Sequence, residues 1–148
     1  MREILFRGKT SDGEWVYGYI GTAFTMDENR KVKLRHFTAL DCLGCSSQVI
    51  VLDETIGQYT GLTDKNGKKI FEGDIVHAIY QSNYVGMKNI DFGIGVVEYC
   101  GNYYSHASYE INIIGEIGSR VFSASLEGGV EVIGNIHDNP ELLKGGEK

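Results

Sequence analysis

The chain's potential for metal binding and nucleophilic chemistry rests mainly on three cysteines and four histidines among 148 residues. The stretch "HFTALDCLGC" carries His36, Cys42 and Cys45, and "CGNYYSH" carries Cys100 and His106. A Cys-x-x-Cys pair joined by a further Cys and a His could hold Zn²⁺ tetrahedrally if the fold united them. The second spacing is not that of a common zinc motif, and no second Cys-x-x-Cys follows. A zinc-containing module or enzyme is therefore kept as a third alternative, and no metal ligand is assigned. A thioredoxin-like role lacks the helical pattern that would follow the pair and lower a thiol pKa. The expectation is that these cysteines act as small apolar residues in or near the core.

The histidines point the same way. His36 lies on the apolar face of a strand pattern, where a hydrogen-bonded core histidine is expected. His77 alternates with Val76 and Ala78 and is read likewise, while His137 is expected to support local hydrogen bonds before a terminal helical turn. None has a Ser, Cys or carboxylate at a spacing that suggests a nucleophile and its base. No catalytic residue is assigned, and the chain is expected to be no enzyme and to need no cofactor. "GLTDKNGKK" resembles a phosphate loop only superficially. Gly61 and Gly67 enclose five residues rather than four, and Lys68 is followed by Lys69 rather than Ser or Thr.

Two surface patterns suggest partners. In "RKVKLRH", Lys31, Lys33 and Arg35 share one face of a strand, roughly 6.6–7 Å apart from the strand rise. Such a strip can follow a phosphate backbone, and Phe37 on the same face could stack on a base. The plainer expectation is the solvated outer face of an edge strand, where Lys also discourages strand addition. In "VVEYCGNYYSHASYEI", Tyr99, Tyr103, Tyr104 and Tyr109 crowd around His106. Tyrosine buries a large area at small entropic cost and is enriched at interfaces. This loop is the expected protein-contact or self-association surface, and the alternative is that its rings cap the end of a barrel.

The elements that must position these residues are β-strands. "EILFR" and "EWVYGYI" flank a turn at Asp12-Gly13 and predict an N-terminal hairpin. "KVKLRHFTAL" alternates, with Val32, Leu34, His36, Thr38 and Leu40 on one side. "SQVIVL", "EGDIVHAIY", "GIGVVEY", "SYEINII" and "GVEVIGNI" are further strand candidates, rich in Ile, Val and Tyr. Asn66-Gly67 predicts a type I′ hairpin turn, because both central residues tolerate positive φ. Gly73-Asp74 predicts a second turn, launching a strand from Ile75 to Tyr80. "TAFTMDEN" and "LDETIGQYT" are each compatible with a helical turn. In "NIHDNPELLK", Asn139 suits a helix cap and Pro140 the first helical position, so a short C-terminal helix is expected.

"REILFRG", the glycine-bearing strand "VYGYI", "IGQYTGLTDKNGKKIFEGDIV" and the closing "VIGNIHDNPELL" occur in this order and bracket the chain. In these blocks the sequence resembles the YopX family of bacteriophages and prophages. The resemblance implies an all-β fold containing a small Src-homology-3-like barrel, encoded by a bacteriophage or prophage. It implies no activity, so no catalytic or binding residue is carried over. The lack of a secretory signal or membrane span leads to the expectation of a protein in the cytoplasm of a bacterial host.

Composition sets the remaining bounds. A chain of this length suits one domain, expected over residues 1–148, and buries enough surface for a core without a disulfide or metal. Twenty glycines against one proline, Pro140, suit short strands and tight turns. The net charge of −6 disfavours a general nucleic-acid binder. "MREILFRGKT" has no apolar core of a secretory signal, and no run approaches the roughly 20 apolar residues of a membrane span. An odd number of cysteines fits a reducing compartment. The expected function is a non-catalytic protein-interaction module with an unidentified protein partner, or a second copy of itself, and no membrane. Nucleic-acid binding through Lys31, Lys33 and Arg35 is the alternative.

Overall fold

Alternation of Ile, Val, Tyr and Thr becomes antiparallel sheet almost wherever it occurs. The computed structural model describes residues 3–26, 28–29, 32–42, 45–80, 85–100, 108–113, 120–122 and 129–146. Among these the all-β expectation holds, with strands in two antiparallel sheets and only short 3₁₀ turns besides. The chain divides into two compact units, Met1–Tyr59 and Thr60–Lys148.

In the first unit, β1 (Phe6–Lys9) pairs with β2 (Trp15–Met26), from Phe6↔Gly18 to Lys9↔Trp15. The hairpin is the predicted one. Gly13 takes φ 87°, Gly13 N–H donates to Thr10 O at 3.0 Å, and Thr10 N–H donates to Glu14 O at 2.9 Å. β3 (Val32–Cys42) pairs with β2, and β4 (Cys45–Ile50) with β3. "TAFT" is thus strand rather than helical turn, whereas "LDET" does form a 3₁₀ turn, Asp53–Thr55. Thr55 ties that turn to β1: its hydroxyl donates to Leu52 O at 2.6 Å and accepts Lys9 N–H at 2.8 Å. Behind it, buried Val51 lies against Gly8, where an added Cβ would come within 2.8 Å of Val51 carbons. β5 (Gly57–Thr63) begins beside β1 through Arg7↔Gly57 and Phe6↔Gln58. Its second half belongs to the other unit.

The second unit is built on β6 (Lys69–Phe71), β7 (Asp74–Tyr80), β8 (Ile90–Cys100), β9 (Ser108–Ile113), β10 (Arg120–Phe122) and β11 (Val130–Asn135). One sheet runs β10-β9-β8-β7-β11. Register sets the core. Val76 faces Val132, Ala78 faces Val130 and Val97 faces Ile111, all on one side. Val76, Ala78, Val97, Ile111 and Val130 form the apolar cluster with Ile70 and Tyr109, and Leu62, Phe92 and Val132 pack against it. Each fully buried Val or Ile contributes on the order of 1.5–3 kcal/mol.

Two turns in this unit were read from sequence, and one needs correction. The Gly73-Asp74 turn forms as expected: Gly73 has φ 83°, and fully buried Asp74 accepts Phe71 N–H at 2.8 Å. At Asn66-Gly67 the loop has three residues rather than two. Gly67 N–H donates to Asp64 O at 3.0 Å, and Asp64 N–H donates to Lys68 O at 2.8 Å. Lys65 and Asn66 are therefore the central residues, and Gly67, at φ 82°, follows them as the left-handed bulge residue. The C-terminal helix is also tighter than expected, a 3₁₀ helix at Pro140–Gly146. The Asn139 carboxamide oxygen accepts Asn135 N–H at 3.4 Å, and Asn139 O accepts Leu142 N–H at 3.1 Å.

Candidate functional site

The β7–β8 hairpin gathers the most unusual surface of the second unit. Its connection exposes Val85, Met87 and Ile90, with relative exposures of 108%, 67% and 53%. A bulge follows. Ala78 faces Gly93, yet Ile79 faces Asp91, so Phe92 is the extra residue on β8. Gly93 makes the bend at φ 84°, a backbone region that strains any residue with a Cβ. The bend lets Asp91 Oδ1 accept Gly93 N–H at 2.8 Å and lie 2.8 Å from His77 Nε2. Those two contacts, the backbone amide first and the imidazole second, hold the Asp91 carboxyl below its ordinary range. On its other flank His77 has Glu131 of β11 as register partner. His77 is hydrogen-bonded as expected, but a third of its side chain meets solvent. The pair is an oriented imidazole joined to a carboxylate, and among the described residues no hydroxyl or thiol is hydrogen-bonded to it.

A second polar node closes the tip of the β5–β6 hairpin. The buried Asp64 carboxylate accepts Asn66 N–H at 2.8 Å and Lys68 N–H at 2.9 Å on Oδ1, and Val132 N–H at 3.1 Å on Oδ2. Burial pushes its pKa up. The amides of Val132, Lys68 and Asn66 and the Lys68 charge together outweigh that and leave the carboxyl below its usual value. Lys65 adds a backbone bond to Val130 O at 2.9 Å and an ion pair with Glu131. This node fastens the hairpin tip to β11. Its signal was in the sequence, since an Asp two residues before Asn in a turn invites an Asx-turn.

The expected tyrosine surface divides. Tyr99 and Tyr109 are register partners, with rings 5.4 Å apart and inclined at 66°. Tyr99 is 52% exposed, whereas Tyr109 is 4% exposed and belongs to the core. Tyr103, Tyr104 and His106 lie outside the described residues, as does Lys31. Lys33 faces Thr25 and Arg35 faces Ala23 across the β2–β3 pairing, while His36 faces Thr22. Cys42 and Cys45 are register partners at the end of the β3–β4 hairpin, and Cys100 ends β8. Among the described residues no group of three or more His, Cys, Asp or Glu is arranged to hold a metal.

Sequence reading gave little weight to β2 itself. Tyr17 and Tyr19, 46% and 59% exposed, flank buried Gly18 on one face of the strand. Trp15 has the same parity, with Arg7 Cζ 4.7 Å and Lys9 Nζ 5.9 Å from its ring centre. Both separations are within cation–π range. The signal was an aromatic residue at every second position from 15 to 19, a pattern that a sheet face alone would align.

Short antiparallel strands joined by glycine turns, with almost no helix, define an all-β protein. More specifically, the chain belongs to the YopX family, whose model, described as YopX protein, matches residues 5–144. It is similar at 25% identity to protein EF1440 from Enterococcus faecalis, known from a crystal structure. That match covers 97% of this chain and 99% of the other, with a TM-score of 0.45. A search of curated proteins found no match. Among the described residues no helix is long and apolar enough to cross a membrane.

Proposed function

We propose that this YopX-family chain is a non-catalytic accessory module of a bacteriophage or prophage, which works in the host cytoplasm by binding a protein partner. The observation that carries this reading is the apolar β7–β8 connection. Val85, Met87 and Ile90 stand exposed within six residues, at the end of β8 opposite Tyr99. Scattered single apolar residues on a surface need no explanation, but three exposed within six residues mark a contact surface. Burying each against a partner is worth on the order of 1.5–3 kcal/mol before association costs. The His77–Asp91 pair at its base supplies polar anchoring at the rim, as interfaces usually have.

The second unit supports a finer reading as a small Src-homology-3-like barrel. Strands β9, β8 and β7 lie side by side with β11 on the far edge of β7. β11 is tied to the β5–β6 tip, where Val130 O accepts Lys65 N–H and Val132 N–H donates to the Asp64 carboxylate. Gly73 N–H reaches Val97 O at 2.9 Å, and Ile136 N–H reaches Gly73 O at 3.0 Å, drawing the ends of the unit together.

The test is a pulldown from nuclease-treated bacterial extract with wild type and a Val85→Ser/Met87→Ser/Ile90→Ser variant. A protein, or a second copy of the chain, retained by wild type and lost by the variant supports the module. Identical retention by both would remove the β7–β8 connection from the interface.

A further inference from the structure

We propose that the β2 face of the first unit is a binding surface for single-stranded nucleic acid. This goes beyond the protein-contact reading, because it uses other residues, in the other unit, and another class of partner. Tyr17 and Tyr19 stand two residues apart on one strand, so their Cα atoms are spaced by roughly 6.6–7 Å along it. Gly18 lies between them and is buried on the opposite side. Aromatic side chains at alternate strand positions are the arrangement on which sheet-based binders stack successive unpaired bases. A duplex hides its base faces, so the surface selects single strands.

Charge on the same face fits a polyanion. Register puts Arg7 opposite Tyr17 and Lys9 opposite Trp15, so each cation flanks a ring. Arg7 is 6% exposed with its guanidinium over Trp15, which makes it the support that positions the indole. Across the β2–β3 pairing, Arg35 is the register partner of Ala23 and Lys33 that of Thr25. The net charge of −6 is unevenly placed. Residues 1–59 hold seven Lys or Arg and eight Asp or Glu, whereas residues 60–148 hold seven and twelve. The acidic surplus that spoke against nucleic acid therefore belongs chiefly to the second unit.

Trp15 is the chain's one tryptophan and lies on this face, so its fluorescence reports directly. The full-length protein is titrated at low salt with oligothymidine and oligouridine of about 20 nucleotides, and with a duplex of equal length, enough to fill a single-strand site. We expect quenching by one or both single strands and much weaker response to the duplex. Alanine at Tyr17 or Tyr19 should weaken binding by about 5- to 100-fold each, the range that base–aromatic stacking spans. Tyr17→Phe and Tyr19→Phe should bind like wild type, because stacking needs the ring and not the hydroxyl. Lys33→Glu/Arg35→Glu should flatten the salt dependence by about 0.7 per lost phosphate contact.

Several results would overturn the proposal. They are no response to either single strand, equal binding of duplex, alanine variants that bind like wild type while melting normally, or phenylalanine variants that do not bind. A nuclease-resistant protein held by wild type and lost by the tyrosine variants, without any oligonucleotide response, would assign the face to a protein partner instead. The Val85→Ser/Met87→Ser/Ile90→Ser variant should bind oligonucleotide normally, so the two proposals fail independently.

Discussion

Asp64, at the start of the β5–β6 turn, accepts a hydrogen bond from the Val132 amide of β11, 68 residues further along the chain. One carboxylate thus sets a local turn and a distant strand together. Removing it by Asp64→Ala leaves the amides of Asn66, Lys68 and Val132 without their acceptor. The expected loss is about 2–4 kcal/mol, since hydrogen bonds to a charged group are worth more than neutral ones. Asp64→Asn, which keeps one acceptor oxygen, should lose less. Urea denaturation at neutral pH measures both.

The same carboxylate gives stability a defined pH dependence. Its folded pKa lies below its unfolded value, so its contribution is fully present above the unfolded value of about 3.9 and is lost as pH falls through the lower folded value. Wild type should lose stability on acidification across this window more steeply than Asp64→Asn. Parallel curves for the two proteins would show that other carboxylates govern the acid limb.

Gly8 and Val51 should behave as a steric pair. An alanine Cβ at position 8 would lie 2.8–2.9 Å from three carbons of Val51, a stiff β-branched side chain. Gly8→Ala should cost about 1–3 kcal/mol by overpacking. Adding Val51→Ala should recover part of that loss. A double-mutant cycle on melting curves gives the coupling, and simple additivity would contradict the contact.

Gly93 is sensitive for a different reason. Nothing lies within 4 Å of a Cβ placed there, so the obstacle is its φ of 84° alone. Gly93→Ala should cost about 1–2 kcal/mol from the left-handed backbone. It should also loosen the bulge that brings Asp91 to His77.

Asp91 itself offers a spectroscopic check. Carboxyl-carbon NMR should find its pKa below that of an ordinary aspartate. His77→Ala should raise it only part of the way, because the Gly93 amide, the larger cause, remains. A full return to the ordinary value would mean that the imidazole alone holds the carboxylate.

Much of the fold was legible because strands write their burial into alternate residues. "DIVHAIY" announces a strand, and Val76 and Ala78 share its core side while His77 does not. Turn chemistry was legible for a similar reason, since positive φ at Gly13 and Gly73 is a local demand that local residues meet. The turn at Asn66-Gly67 is legible in the same way, but its length is not. Asn-Gly suits the two-residue turn, and it was the Asp64 side chain, engaged with Asn66, Lys68 and Val132, that favoured the three-residue one.

Alone, the sequence determined the class of fold, the family and where the chain turns, because those follow from periodicity and from φ preferences within a few residues. The tertiary structure decided which face of each strand is covered. Tyr99 and Tyr109 have equivalent places in the register, yet one is half exposed and the other buried. Tyr17 and Tyr19 follow the alternation of a core strand, yet both meet solvent. Alternation fixes which side chains share a side. Which side is buried depends on chain segments remote in sequence that pack over it, and that is why the candidate binding faces emerged only from the assembled sheets.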